Sequence, residues 1–320
     1  MSADPTSAAS PAMIVFPALD NTMGALMIGA LVSTALWGIT CMQTFEYYGS
    51  YLKYDNIMFK IMVTIVFICD TLHEVFICHT VYTYMVSHFG DPVAIGKVEW
   101  SILAEVICSG LVAFVVQSFF TYRVWVLSRK KFLLVLPLAL LVIAELAVTL
   151  AYFSKAVARV KVEVYTDSFK VRDLSQALNA IGAAGDILIT VTLIYLLHRS
   201  KSGMRKSDAM VNSLILFALN TGLLTSLCAL MSLIMILIYP DTFLYIAFFF
   251  CLSRLYANSL MATLNARRKL KNAVDGSYIA TLDGDPSSRR LPTHNTTPST
   301  TLGFSNPNVL STSAKYQAHD

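Results

Sequence analysis

The chain has few charged residues. Asp, Glu, Lys and Arg make up only 14% of its 320 residues, whereas apolar residues make up 56%. Soluble domains carry about 25% charged residues, enough to cover a water-exposed surface. A chain with this deficit cannot cover a globule of its own size with charge, which indicates a protein embedded in lipid. The net charge of +4 is small, and no nucleic-acid partner is expected.

The predicted loops lack cysteine, and the N-terminus lacks basic residues. All six cysteines fall inside apolar stretches, so no disulfide framework is available to cross-link the loops. The first 20 residues contain no Lys or Arg, so the basic region of a cleavable signal peptide is missing. We therefore expect the first spanning helix to direct insertion into the membrane.

Long apolar runs fill most of the chain. A membrane-spanning helix needs about 20 mostly apolar residues, and seven stretches meet this requirement: 22–44, 58–86, 99–126, 132–153, 174–197, 210–239 and 242–264. The sequence therefore predicts an all-α membrane protein, a multi-pass bundle of seven transmembrane helices spanning 22–272. Residues 1–21 are expected to be a flexible extracytoplasmic lead. Residues 273–320, rich in Ser, Thr and Pro, are expected to form a disordered cytoplasmic tail.

The distribution of basic residues predicts the orientation. Fourteen Lys and Arg residues lie on the side that holds the C-terminal end of the bundle, and six lie on the other side. Cytoplasmic loops carry the excess of positive charge, so the C-terminus is predicted inside and the N-terminus outside. Plasma membrane and endomembrane fit equally well. Between the fourth and fifth spans, residues 159–164 alternate in polarity, which fits either a short strand or a continuation of the fourth helix.

Ionisable residues within the spans are the candidate functional residues, because each costs several kcal/mol unless it is paired or solvated. The candidates for lining a ligand or ion cavity are Asp70, His73, Glu74, Glu105, Glu145, Asp186 and Arg254. A helical wheel places several polar residues on one face of the second helix, namely Asp70, His73, Glu74, Thr80 and Tyr84. His79 lies on the opposite side, near the membrane boundary.

Depth along the helices suggests which charges meet. At about 1.5 Å of rise per residue, Asp70, Asp186 and Arg254 lie near mid-membrane, so Arg254 is expected to pair with Asp70 or Asp186. Three interpretations of the set are open. The residues form an ion-pair network that fixes helix packing, with surplus carboxyl groups protonated; they line a cavity for a ligand or ion; or they carry out catalysis.

Several known chemistries do not fit. His73 and His79 are spaced too far apart for a zinc-protease motif, and the last helix holds neither the histidines of a metal-dependent membrane hydrolase nor the Schiff-base lysine of a rhodopsin. Pro137 is the only proline within a span, which weakens a transporter built on broken helices. No catalytic residue, metal site or cofactor is assigned.

Five stretches carry a resemblance to a known family. They are 19–25 (LDNTMGA), 119–125 (FFTYRVW), 197–203 (LHRSKSG), 220–223 (NTGL) and 252–267, which begins LSRLYANSL. Over residues 19–270 the chain resembles seven-helix integral membrane proteins of mushroom-forming fungi, a family catalogued as a domain of unknown function. The resemblance implies the topology and a fungal origin. It also implies that lysine is accepted at the position of Arg254, so that positive charge is the requirement there.

The topology and the basic inner loops favour a receptor-like seven-helix sensor. Its expected partners are the lipid bilayer, a small-molecule or lipid ligand, and a cytoplasmic signalling protein at loops 123–131 and 198–208. The first alternative is a proton- or cation-coupled transporter or channel. The second is an intramembrane lipid-modifying enzyme. Because a fold does not by itself imply a function, the residues within the bundle have to decide between them.

Overall fold

A computed structural model describes residues 20–51, 55–91, 99–162, 168–201, 205–240 and 242–282. A π-helical turn, Asp20–Gly24, leads into α1 (Ala25–Tyr51). The next helices are α2 (Ile57–Tyr82), which ends in a π-helical turn at Thr83–Ser87, and α3 (Trp100–Leu127). The remaining helices are α4 (Phe132–Val162), α5 (Ser168–Arg199), α6 (Arg205–Ile238) and α7 (Leu244–Leu282). The described residues contain no strand.

Seven of these helices are long and apolar enough to cross a membrane, which confirms the predicted fold class. The candidate spans are Asp20–Tyr51, Ile57–Ser87, Trp100–Leu127, Phe132–Ala158, Asp173–Arg199, Ala218–Ile238 and Leu244–Arg267. Large apolar side chains such as Phe45, Leu133 and Leu140 are exposed along them. Lipid tails would cover those side chains in a bilayer, where each helix satisfies its own backbone hydrogen bonds. The orientation of the termini stays a prediction.

The spans differ in how deeply they lie in the bundle. In α7, 56% of the most apolar window is buried, against 22% in α4, so α7 lies at the centre and α4 at the lipid-facing edge. Sequential neighbours from α1 to α6 pack together, and α3 also packs against α5. Gly29 allows α1 to approach α7 closely, because a Cβ there would lie 2.6 Å from the Ala247 Cα.

The structure extends two helices, α4 and α7, into stretches where the sequence left the structure open or predicted disorder. The alternating stretch begins as helix, since α4 runs on through Val162; residues 163–167 lie outside the described residues. Helix α7 runs to Leu282, so residues 273–282, the first ten of the predicted tail, are helical in the structure. Composition marked this stretch as polar but could not show that it continues a helix already nucleated in the membrane. Residues 1–19 and 283–320 lie outside the described residues.

The chain divides into two compact units, Met1–Asp275 and Gly276–Asp320. The first unit holds all seven candidate spans and every candidate site residue. In the second unit, the described residues are helical and end at Leu282.

Candidate functional site

Arg254 lies at the centre of a buried polar cluster, and its side chain has no exposed surface. Its Nη1 lies 2.5 Å from Asp70 Oδ1 and donates a hydrogen bond to the Asp70 backbone carbonyl. Its Nη2 lies 2.9 Å from Glu74 Oε2 and 2.8 Å from His73 Nδ1. Its Nε donates to Ser33 Oγ at 3.0 Å. The guanidinium therefore uses all three nitrogens to join α7 to α1 and α2.

This geometry confirms one predicted pairing and adds another. Asp70 is the partner of Arg254 expected from depth, and Asp186 is not. Glu74 also contacts Arg254 directly, because it lies one helical turn beyond Asp70 on the same face of α2. Thr34 of α1 also donates to Glu74, at 2.5 Å.

His73 connects Arg254 to Glu105. A guanidinium only donates hydrogen bonds, so His73 Nδ1 must accept from Nη2. The imidazole proton then lies on Nε2, which faces Glu105 Oε1 at 3.1 Å, although the two atoms are not aligned as a hydrogen bond. The contact with Arg254 thereby defines the tautomer of a neutral histidine. The cluster holds three acids, Asp70, Glu74 and Glu105, against one permanent positive charge.

A second buried cluster forms around Gln117, in the middle of α3. Its Nε2 donates to Glu145 Oε2 at 2.9 Å and to Asp186 Oδ1 at 3.2 Å. The Tyr256 hydroxyl donates to Asp186 Oδ2 at 2.8 Å and lies 3.3 Å from the same amide nitrogen. All four side chains are buried. The cluster joins α3, α4, α5 and α7 through neutral donors.

The seven candidate residues thus fall into two groups. Among the described residues, no hydrogen bond or ion pair links the Arg254 cluster (Asp70, His73, Glu74, Glu105 and Arg254) to the Gln117 cluster (Gln117, Glu145, Asp186 and Tyr256). Within the same part of the chain, no Lys, Arg or His pairs with Glu145 or Asp186. Two uncompensated charges at this depth would be very costly. The Gln117 cluster must therefore hold a proton or a cation.

Small cavities touch the Gln117 cluster at two depths. The Asp186 cavity, of about 30 Å³, is lined along α5 by Asp186, Ile189, Thr190 and Leu193. The Glu145 cavity, with about 20 Å³, is lined along α5 by Leu178, Asn179 and Gly182. One water molecule needs a cavity of about 10–15 Å³, and pockets for organic ligands are far larger. These cavities fit one or two waters or a small ion.

Residues that carry no charge escaped the sequence analysis. Gln117 and Tyr256 hold the second cluster together, and Ser33 contributes to the first. The one available signal was a lone glutamine inside the apolar stretch FVVQSFF of α3, because a buried amide requires partners. His79 lies where the wheel placed it, exposed on the far side of α2 and 5.0 Å from the Trp100 ring centre.

Residues 182–269 match a family of unknown function, DUF6534. The match contains Asp186, Arg254 and Tyr256, and it ends before the helical extension of α7. No curated protein and no solved structure matches the chain. The resemblance to a domain of unknown function is thus confirmed for this region, whereas a fungal origin stays a prediction.

Proposed function

We propose that this membrane protein is a receptor-like sensor that responds to the protonation of its buried acids. The observation that carries the proposal is the Gln117 cluster, where two carboxyl groups lie within hydrogen-bond distance of one amide and no base pairs with them among the described residues. Gain or loss of a proton there changes the net charge at a point where four helices meet.

The small size of these cavities favours a proton or a small ion over an organic ligand. A proton needs no cavity of its own, because it binds to a carboxyl oxygen and can reach it through a single water. A small-molecule or lipid ligand would need several hundred Å³, which neither cavity at the Gln117 cluster provides. At the Gln117 cluster, the proposed ligand is therefore a proton or a small ion.

Coupling to the helices follows from electrostatics. Repulsion between two carboxylates is strong at low dielectric, so deprotonation favours a looser or wetter arrangement of α3, α4, α5 and α7. Two discrete packings with different proton affinity are what a switch requires. The exposed basic residues Arg129, Lys130 and Lys131, which follow the end of α3, are the surface proposed to pass the change to a cytoplasmic partner. The second predicted surface, 198–208, includes residues outside the described part of the chain.

Thermal unfolding of the purified protein between pH 5 and pH 8.5 tests the proposal. The folded state retains the proton that the unfolded chain would release, so stability should fall as the pH rises. The double variant Glu145→Gln, Asp186→Asn keeps the shape without the charge and should show a shallower fall. Groups outside the Gln117 cluster are the same in both proteins, so their contributions cancel in the comparison. Identical pH profiles would exclude the Gln117 cluster as the proton site.

One observation favours the proton-coupled transporter as a second candidate. The Glu145 and Asp186 cavities lie at successive depths along α5 with the acid pair between them, an arrangement that a proton path also needs. Proteoliposomes under an imposed pH gradient separate the two candidates, since a transporter dissipates the gradient and a sensor maintains it. Nothing in the described residues favours the lipid-modifying enzyme.

A further inference from the structure

The Glu145 cavity contains a buried oxygen without a partner. Asn179 Oδ1 forms no hydrogen bond, although only 3% of the Asn179 surface is exposed. Its amide orientation is defined, because Nδ2 donates to the Ser175 backbone carbonyl at 3.0 Å. Turning the amide over would place two oxygens against each other. Oδ1 is therefore left unpaired among the residues that line the cavity, and a buried acceptor without a donor costs free energy.

The other polar atoms of the cavity also offer lone pairs rather than hydrogens. The Thr149 hydroxyl donates its hydrogen to the Glu145 backbone carbonyl at 2.8 Å, and the Tyr256 hydroxyl donates to Asp186. The Glu145 carboxyl brings the negative charge. The Ser109 hydroxyl, which also lines the cavity, can accept as well as donate. Oxygen acceptors that surround a space of this size are suited to a hard cation.

We infer that the Glu145 cavity binds one small monovalent cation, coordinated by Glu145, Asn179 Oδ1 and the hydroxyl oxygens of Thr149 and Ser109. About 20 Å³ is space for a single occupant. Divalent ions require six or more ligands or keep several waters, and this volume does not allow them. The inference rests on the proposed function and deepens it, because the cation and a proton would compete for Glu145.

Gly182 offers a way to block the site without removing a polar group. A Cβ built on Gly182 would lie 3.3 Å from Glu145 Oε1, and Gly182 itself lines the cavity. Gly185 provides the matched control on the same helix. A Cβ built there meets only Gln117 Nε2, at an ordinary 3.9 Å.

Thermal unfolding in detergent at pH 8 provides the test, with Na⁺ as the probe and choline replacing it at constant ionic strength. Na⁺ should raise the Tm of the parent by roughly 2–4 °C, as expected near tenfold saturation, and by less at pH 5, where protons compete. Gly182→Ala and Asn179→Leu should abolish the Na⁺ shift, whereas Gly185→Ala should keep it. Direct titration of the parent by ²³Na NMR gives a readout that does not depend on how well the variants fold.

The outcomes separate this inference from the proposed function. Equal Tm values in Na⁺ and choline, with no ²³Na broadening, would overturn the cation site and leave water as the occupant, while the pH dependence decides the sensor separately. A Na⁺ shift that persists in both Gly182→Ala and Asn179→Leu would also overturn it. A Na⁺ shift of equal size at pH 5 and pH 8 would support a cation in the cavity but contradict its competition with a proton at Glu145, and with it the proton sensor.

Discussion

The two buried clusters differ in how their carboxyl groups are neutralised. In the Arg254 cluster a permanent positive charge contacts Asp70 and Glu74. In the Gln117 cluster a neutral amide and a hydroxyl contact Glu145 and Asp186. A guanidinium stays protonated at any physiological pH, so the first cluster has a fixed cation. The second is proposed to take up a proton or a cation from solution. In that proposal, similar residues at similar depth form a fixed ion pair in one cluster and a site of variable charge in the other.

Removing the fixed cation should give the largest loss of stability. Arg254→Leu leaves Asp70 and Glu74 buried without compensation, which should cost about 3–5 kcal/mol. Arg254→Lys keeps the charge, but one ammonium cannot replace three guanidinium nitrogens, so its cost should be intermediate. Denaturation of the purified protein measures both. Combining Arg254→Leu with Asp70→Asn should recover part of the loss, whereas combining it with Asp186→Asn should not.

A matched control lies further along α7. Arg267 also forms an ion pair, with Asp55 Oδ2 at 2.7 Å, but 37% of its side chain is exposed. Water screens such a pair, so Arg267→Leu should cost about 1 kcal/mol or less. If Arg254→Leu costs no more than Arg267→Leu, the Arg254 cluster is not the buried anchor described above.

The same change, from a carboxyl group to an amide, should affect the stability of the two clusters differently. Asp70→Asn removes the buried charge that pairs with Arg254 and should destabilise the protein by about 3 kcal/mol at pH 8. Glu145→Gln at the same pH removes a carboxyl group that no base contacts among the described residues, so the free energy of unfolding should stay the same or rise. Parallel urea denaturation at pH 8 compares them. A loss for Glu145→Gln as large as for Asp70→Asn would point to an undetected positive partner of Glu145.

The smallest effect is expected from Tyr256→Phe. The variant keeps the ring and removes one hydroxyl that donates to Asp186 Oδ2 at 2.8 Å, which should cost about 1 kcal/mol. Tyr48→Phe is its control, since the Tyr48 hydroxyl contacts Thr64 at an exposed position and should contribute almost nothing. Equal effects of the two variants on Tm would show that the Tyr256 hydrogen bond has no special weight in the Gln117 cluster.

Much of the bundle followed from patterns along the chain. Apolar length alone identified the seven spans, because a bilayer requires about 20 apolar residues per helix. The period of the helix placed Asp70, His73 and Glu74 on one face, and rise per residue brought Asp70 to the depth of Arg254. These inferences succeeded because each depends only on position within one helix.

The choice between Asp70 and Asp186 could not be made in this way. Both acids share the depth of Arg254, and depth says nothing about which helices are neighbours around the bundle. The buried polar face of α3 (Ser101, Glu105, Ser109, Gln117 and Thr121) likewise does not show which neighbouring helix each residue meets. The unpaired Asn179 oxygen was invisible for the same reason.

The sequence by itself determined that this chain forms seven apolar helices and buries five acids with one arginine among them, since both follow from composition and local period. The tertiary structure was needed to show that Arg254 contacts one group of acids, whereas Glu145 and Asp186 contact a neutral amide. The physical reason is that charge compensation depends on contacts within about 4 Å between helices far apart in sequence, and helix period and depth do not determine those contacts.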